Sequence, residues 1–187
     1  MLKRMTRGLL RVFGWRVEGV IPPHPKMVVI GAPHTSNWDF PLAMLAAPAL
    51  GLRIRWLGKH TLFKKPFGWF FRMLGGIPVD RSKAAGVIRQ SVAAFDAAEE
   101  LALVITPEGT RSKRDHWKSG FYRIARDAGV PLVLVGVDGA NKTVRVGPSF
   151  VPSGEVGADM DRIRQFYAGY GGVKPDRVGP IRLRDED

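Results

Sequence analysis

Residues 27–40 read MVVIGAPHTSNWDF. A short, β-rich apolar run stops at a turn containing Gly31 and Pro33. A polar stretch follows, then the apolar residues from Phe40 to Leu52. An apolar run of this length, bounded by turn residues, predicts a buried strand. Ser36 or Asn37 can cap a helix over 36–50, in which Pro41 must sit in or near the first turn, because an interior proline breaks a helix.

The same unit recurs along the chain. LALVIT at 101–106 and PLVLVGV at 131–137 predict further buried strands, and RIRWL at 53–57 and TVRVG at 143–147 two more. Between them, helices are predicted over 83–100, 117–128 and 157–168, the second stopped by Gly129 and Pro131. Alternating strands and helices place the chain in the α/β class, with a mixed central β-sheet flanked by helices. Its 187 residues suit one domain, taken as 1–187 with a core over 27–150. The tail at 169–187 is rich in Gly, Pro and charge and is expected to lie loosely on the surface.

Residues 2–15, LKRMTRGLLRVFGW, predict an amphipathic helix. Leu2, Met5, Leu9, Leu10, Val12 and Phe13 share one face of the wheel, and Lys3, Arg4, Arg7 and Arg11 the other. Such a helix can lie in the headgroup plane of a bilayer or cap the protein's own core. We take 1–16 as a membrane-surface helix. Residues 62–77, LFKKPFGWFFRMLGGI, combine five aromatics with Lys64, Lys65 and Arg72, which fits either a bilayer interface or a core helix with a polar edge.

Lys and Arg total 29 against 17 Asp and Glu, a net charge of +12 that calls for an anionic partner. Nucleic acid, an anionic membrane face and a phosphorylated small molecule all qualify. Zinc-finger, RRM, homeodomain and P-loop signatures are missing from the sequence, which disfavours nucleic acid. With no cysteine, disulfides and a thiol nucleophile are excluded. His24, His34, His60 and His116 are scattered without metal-ligand spacing. No apolar stretch approaches the roughly 20 residues of a membrane span, and no secretory leader is expected.

Three short motifs carry polar chemistry. His34-Thr-Ser-Asn-Trp-Asp39 follows a buried strand and opens a helix. A carboxylate beside an imidazole can fix its tautomer and support its charged form, as a general base requires. By itself the His-x4-Asp spacing also recurs by chance. Thr106-Pro-Glu108-Gly109-Thr110-Arg111 follows another strand. Gly109 allows a tight turn whose N–H groups can face an anion, and Arg111 has the planar fork that binds phosphate. Taken alone it is also consistent with an ordinary loop. Gly75-Gly-Ile-Pro-Val-Asp-Arg81 reads only as a turn and an edge strand.

Together, in this order, the motifs resemble the glycerolipid acyltransferase family, which includes lysophosphatidic acid and glycerol-phosphate acyltransferases. The family's H-x4-D block falls on His34 to Asp39, its G-x5-R block on Gly75 or Gly76 through Arg81, and its E-G-T-R block on Glu108 to Arg111. Its V-P strand falls on Val130 to Val135, where Gly136 stands in place of a second proline. KSGFYRIARDAG at 118–129 resembles the helix between the last two blocks.

The resemblance implies a direct acyl transfer from acyl-CoA or acyl-carrier protein to a lysophospholipid hydroxyl, such as that of 1-acyl-glycerol-3-phosphate. His34 and Asp39 would be catalytic, while Arg81, Glu108, Gly109, Thr110 and Arg111 would bind the substrate. It implies no metal and no cofactor. It further implies a peripheral position on the cytoplasmic face of the cell membrane, against an anionic lipid surface and away from nucleic acid. The competing reading of a different class is a catalytically silent lipid- or nucleic-acid-binding protein.

Overall fold

A computed structural model describes residues 1–80 and 84–186. In chain order the elements are α1 (Leu2–Val12), β1 (Arg16–Glu18), β2 (Lys26–Ala32), α2 (Asp39–Leu50), β3 (Ile54–Lys59), α3 (Gly68–Met73), β4 (Gly76–Val79), α4 (Ala84–Ala97), β5 (Leu101–Ile105), α5 (Gly120–Asp127), β6 (Leu132–Asp138), β7 (Thr143–Phe150) and α6 (Val156–Tyr167). The strands form one seven-stranded sheet in the order β1-β7-β6-β2-β5-β3-β4. Only the β6–β7 pair is antiparallel, so the sheet is mixed, as expected.

Strand periodicity divides the core between the two faces. Val28, Ile30 and Ala32 point into a layer with Phe121, Ile124, Leu132, Leu134, Met160 and Ile163, beneath α4, α5 and α6. Met27 and Val29 point the other way, with Ala102, Val133 and Val146. On that face Leu10 of α1 packs with Leu42, Ala46 and Ala49 of α2. Because both faces are covered, the central strands are continuously apolar rather than alternating. Each fully buried large side chain, such as Phe121 or Leu134, contributes about 1.5–3 kcal/mol.

The centre of the sheet sets the position of the motif-bearing loops. β2 runs parallel to β5 on one side and to β6 on the other, pairing Ile30 with Ile105 and with Leu134. The carboxyl ends of these strands therefore emerge together, the usual place for a ligand crevice in an α/β sheet. The Tyr167 hydroxyl donates to Ile30 O at 2.8 Å and accepts from Val135 N at 3.2 Å, tying β2 to β6 near that edge.

Four details depart from the sequence expectations. β1 is a three-residue edge strand beside β7, too short to give a periodic signal. Helix α2 begins at Asp39, with Trp38 at its N-cap and no side-chain cap, rather than at Ser36 or Asn37. Residues 62–77 are not one helix. They divide into a 3-10 turn (His60–Phe63), α3 and β4, because Pro66 interrupts the run and Gly68 crosses directly over the Phe63 carbonyl, where a Cβ would collide.

The tail, finally, is not loose. Trp117 N donates to Arg182 O at 2.8 Å, Lys174 N donates to Thr35 Oγ1 at 3.0 Å, and Leu183 is buried. These ties use backbone groups, the Thr35 hydroxyl and a few scattered apolar side chains, Tyr170, Ile181 and Leu183, that belong to no long helix or strand, so apolar periodicity could not reveal them.

Helix α1 is amphipathic, as predicted, but its apolar stripe mostly faces outward. Only Thr6 and Leu10 are buried, and Arg7 Nε donates to Ala49 O at 3.0 Å at the end of α2. Leu2, Met5, Leu9, Val12 and Phe13 remain exposed. Among the described residues, no helix is long and apolar enough to cross a membrane.

Candidate active site

The β2–α2 loop brings the histidine and the aspartate together. His34 Nδ1 lies 3.0 Å from Asp39 Oδ2. The same oxygen accepts the backbone N–H groups of Thr35 at 2.7 Å and Ser36 at 2.8 Å. Two backbone donors thus fix the carboxylate before the imidazole meets it. A carboxylate on Nδ1 places the proton there and leaves Nε2 as the basic nitrogen. Asp39 is buried, whereas His34 is partly accessible, so the pair has one supported side and one open side.

The loop after β5 reaches the same place. Glu108 Oε1 accepts the backbone N–H of His34 at 3.0 Å, and Glu108 Oε2 is buried without a hydrogen-bond partner among the described residues. Burial pushes the Glu108 carboxyl above the ordinary glutamate range, against the opposing pull of the His34 N–H. Gly109 adopts φ +65, a left-handed conformation, and its N–H donates to Thr106 O at 3.0 Å. The Thr110 hydroxyl accepts Ser112 N at 3.4 Å. Arg111 is exposed and lines the same cavity as His34.

That cavity measures about 970 Å³. His34, Asp39, Glu108, Gly109 and Arg111 line it, together with apolar side chains including Leu42, Ala46, Leu50, Trp56 and Phe71. A polar end with a base and a cation is thus continuous with an oily wall, an arrangement suited to an amphiphile. Among the described residues, no cluster of three or more His, Cys, Asp or Glu could hold a metal ion.

Of the residues singled out in the sequence, His34, Asp39, Glu108, Gly109 and Arg111 share this cavity lining. Thr110 sits in the same loop, and Arg81 lies outside the described residues. Gly75, in the second block, adopts φ +85 beneath the Ile54 carbonyl, where no side chain fits. Gly136, standing where the family has its second proline, lies under the Tyr170 ring with no room for a Cβ.

Other residues around the cavity carry no sequence signal. Lys118 N donates to Pro107 O at 2.9 Å, and its side chain lies over Gly109, where a Cβ would meet Lys118 Cε at 3.0 Å. Arg114, Lys118, Arg123 and Arg184 also line the cavity. In a chain with 29 Lys and Arg, no pattern separates these cations from the surface ones.

The sequence matches the family described as Acyltransferase over residues 15–138. It is 29% identical over 144 residues to the 1-acyl-sn-glycerol-3-phosphate acyltransferase of Streptococcus pneumoniae (strain ATCC BAA-255 / R6), covering 72% of this chain and 53% of that protein. It is also 29% identical over 119 residues to a chloroplastic 1-acyl-sn-glycerol-3-phosphate acyltransferase of Brassica napus, covering 61% of this chain and 35% of that one. The chain thus spans about half the length of the first relative and about a third of the second. In fold it is similar to the crystal structure of the 1-acyl-sn-glycerophosphate (LPA) acyltransferase of Thermotoga maritima. The TM-score is 0.59 at 22% identity, covering 82% of this chain and 68% of the other.

Proposed function

The chain belongs to the acyltransferase family, and from that premise we propose that it moves a fatty acyl group from a thioester, acyl-CoA or acyl-carrier protein, to the hydroxyl of 1-acyl-glycerol-3-phosphate in phospholipid synthesis. The observation that carries this reading is the 3.0 Å pairing of His34 Nδ1 with Asp39 Oδ2 at the open, cation-flanked end of an apolar cavity.

In the proposed reaction His34 Nε2 takes the proton from the acceptor hydroxyl as its oxygen attacks the thioester carbonyl. Asp39 holds the ring and stabilises the imidazolium. The tetrahedral intermediate collapses with cleavage of the C–S bond. The departing sulfur takes the proton from His34, giving a free thiol and a new ester. The acceptor alcohol fills the role of a protein nucleophile, consistent with a chain that has no cysteine.

Arg111, with Arg81 by resemblance, holds the acceptor phosphate. Glu108, Gly109 and Thr110 shape the loop that carries it. A phosphorylated acceptor is favoured over a neutral lyso-lipid of the kind other family members use, because the cavity is flanked by Arg111, Arg114 and Lys118. We place the protein peripherally on the cytoplasmic membrane face. The exposed apolar stripe of α1, bordered by Lys3, Arg4 and Arg11, supports contact with anionic lipid.

The test is a thiol-release assay on the purified protein, with acyl-CoA and acyl-carrier protein as donors against phosphorylated and neutral lyso-lipid acceptors. Turnover with the lysophosphatidic acceptor is expected. Thiol release only with neutral acceptors would overturn the acceptor assignment, and none with any pair would overturn the activity.

A further inference from the structure

Between β3 and β4 the chain builds a small platform with distinct inner and outer sides. Its inner side is anchored. Phe63 packs against Trp56 and Phe71, with ring centroids 5.9 and 6.3 Å away. The Arg72 guanidinium lies over the Phe63 ring at 5.4 Å and donates to Phe63 O at 3.3 Å.

The outer side is apolar and uncovered. Phe67, Trp69 and Met73 are 67%, 66% and 65% exposed, and Leu62 and Phe70 are exposed beside them. Single exposed apolar residues are ordinary, but five within twelve residues form a patch. Lys59, Lys64 and Lys65 are exposed in the same segment. From Phe40 to Val79 the sequence contains no carboxylate at all. Aromatic side chains with interleaved lysines, and no acid to repel an anion, match the headgroup layer of an anionic bilayer. The platform also connects to the site, since Leu62 and Phe71 line the cavity that contains His34.

We propose that the outer face of residues 60–73 docks on an anionic lipid bilayer and forms the portal through which a lipid chain passes into the His34 cavity without crossing water. The nature of the lipid that enters rests on the acyltransferase reading; the docking itself rests on the exposed side chains and their charge.

The experiment uses the full chain and vesicles of equal parts phosphatidylglycerol and phosphatidylcholine. The triple variant Phe67→Ser, Trp69→Ser, Met73→Ser is expected to lose at least about tenfold in vesicle affinity, since more than 1.4 kcal/mol of apolar contact is removed. Turnover of an acceptor embedded in vesicles falls with it, whereas turnover of the same acceptor in detergent micelles stays within about twofold.

Brominated lipid tests insertion without relying on a loss of function. Quenching of tryptophan fluorescence is expected to drop in the Trp69→Phe variant, which still binds. Unchanged vesicle binding by the triple variant, or unchanged quenching in Trp69→Phe, overturns the portal. So does a dimer in sedimentation that the triple variant dissolves while vesicle binding persists, because the face would then belong to a second copy. If the wild type transfers no acyl group yet the triple variant still loses vesicles, the docking surface stands and the enzymatic reading fails.

Discussion

Glu108 and His34, 74 residues apart in sequence, are joined by a 3.0 Å hydrogen bond from the His34 backbone N–H to Glu108 Oε1. The loop after β5 thereby props the loop after β2. The side chain aimed at the imidazole is Asp39, while Glu108 holds the peptide that carries it.

Replacing Glu108 by Gln keeps an amide oxygen for the His34 N–H, whereas Ala removes it. Glu108→Ala is expected to lower kcat by about 10- to 100-fold through misplacement of His34, with a smaller change in KM, and Glu108→Gln to recover most of the loss. Equal losses in both variants would indicate that the carboxylate acts by its charge.

The same residue has a pH signature. Burial raises the Glu108 carboxyl above its ordinary value, so the folded state holds the proton more tightly than the unfolded one. Its contribution to stability is then fully present below the unfolded pKa, about 4.3, and is lost as pH rises through the raised folded value. The Tm of Glu108→Gln relative to the wild type is expected to climb across that window and level off above it. A pH-independent difference would contradict the assignment.

Asp39→Asn preserves shape but removes the charge that favours the Nδ1–H tautomer. By analogy with serine-protease triads, kcat should fall by roughly four orders of magnitude with the fold intact by circular dichroism. His34→Ala should lose at least as much. Either variant retaining substantial turnover removes the proposed base mechanism.

Gly172 adopts φ +61, and a Cβ there would stand 2.8 Å from Thr35 Oγ1. Gly172→Ala is expected to cost about 1–3 kcal/mol in urea unfolding, from backbone strain and the displaced threonine. It should also slow turnover, because Thr35 adjoins His34. A neutral result would mean that the tail and the loop are mechanically independent.

Leu9 and Phe13 lie on the exposed face of α1, away from buried Leu10. Leu9→Ser with Phe13→Ser should weaken binding to anionic vesicles by about tenfold or more while leaving Tm nearly unchanged. If binding is unaffected, α1 is a structural brace.

The sequence was most readable where burial is two-sided. Apart from Lys26 and Asp138 at their ends, β2, β5 and β6 are apolar because helices cover both faces, and the motif loops of β2 and β5 follow directly on those runs. The H-x4-D spacing pairs His34 with Asp39, and the folded loop sets them 3.0 Å apart. The features that carry no sequence signal lack a period. β1 is three residues long, the tail is tied by backbone donors around Leu183, and Lys118 is one basic residue among many. In the 62–77 segment, read as either a bilayer interface or a core helix with a polar edge, Phe63 is buried and Trp69 exposed, and the segment is not a single helix.

The bond from Lys174 N to Thr35 Oγ1 sets an order of events during synthesis. A polypeptide emerging amino end first exposes the imidazole early, long before its distal strap has been made. The loop carrying that ring gains its far-end restraints only when Lys174 and then Arg177, which donates to Thr35 O at 3.4 Å, arrive, so nascent chains halted earlier carry the histidine and the aspartate without the clasp.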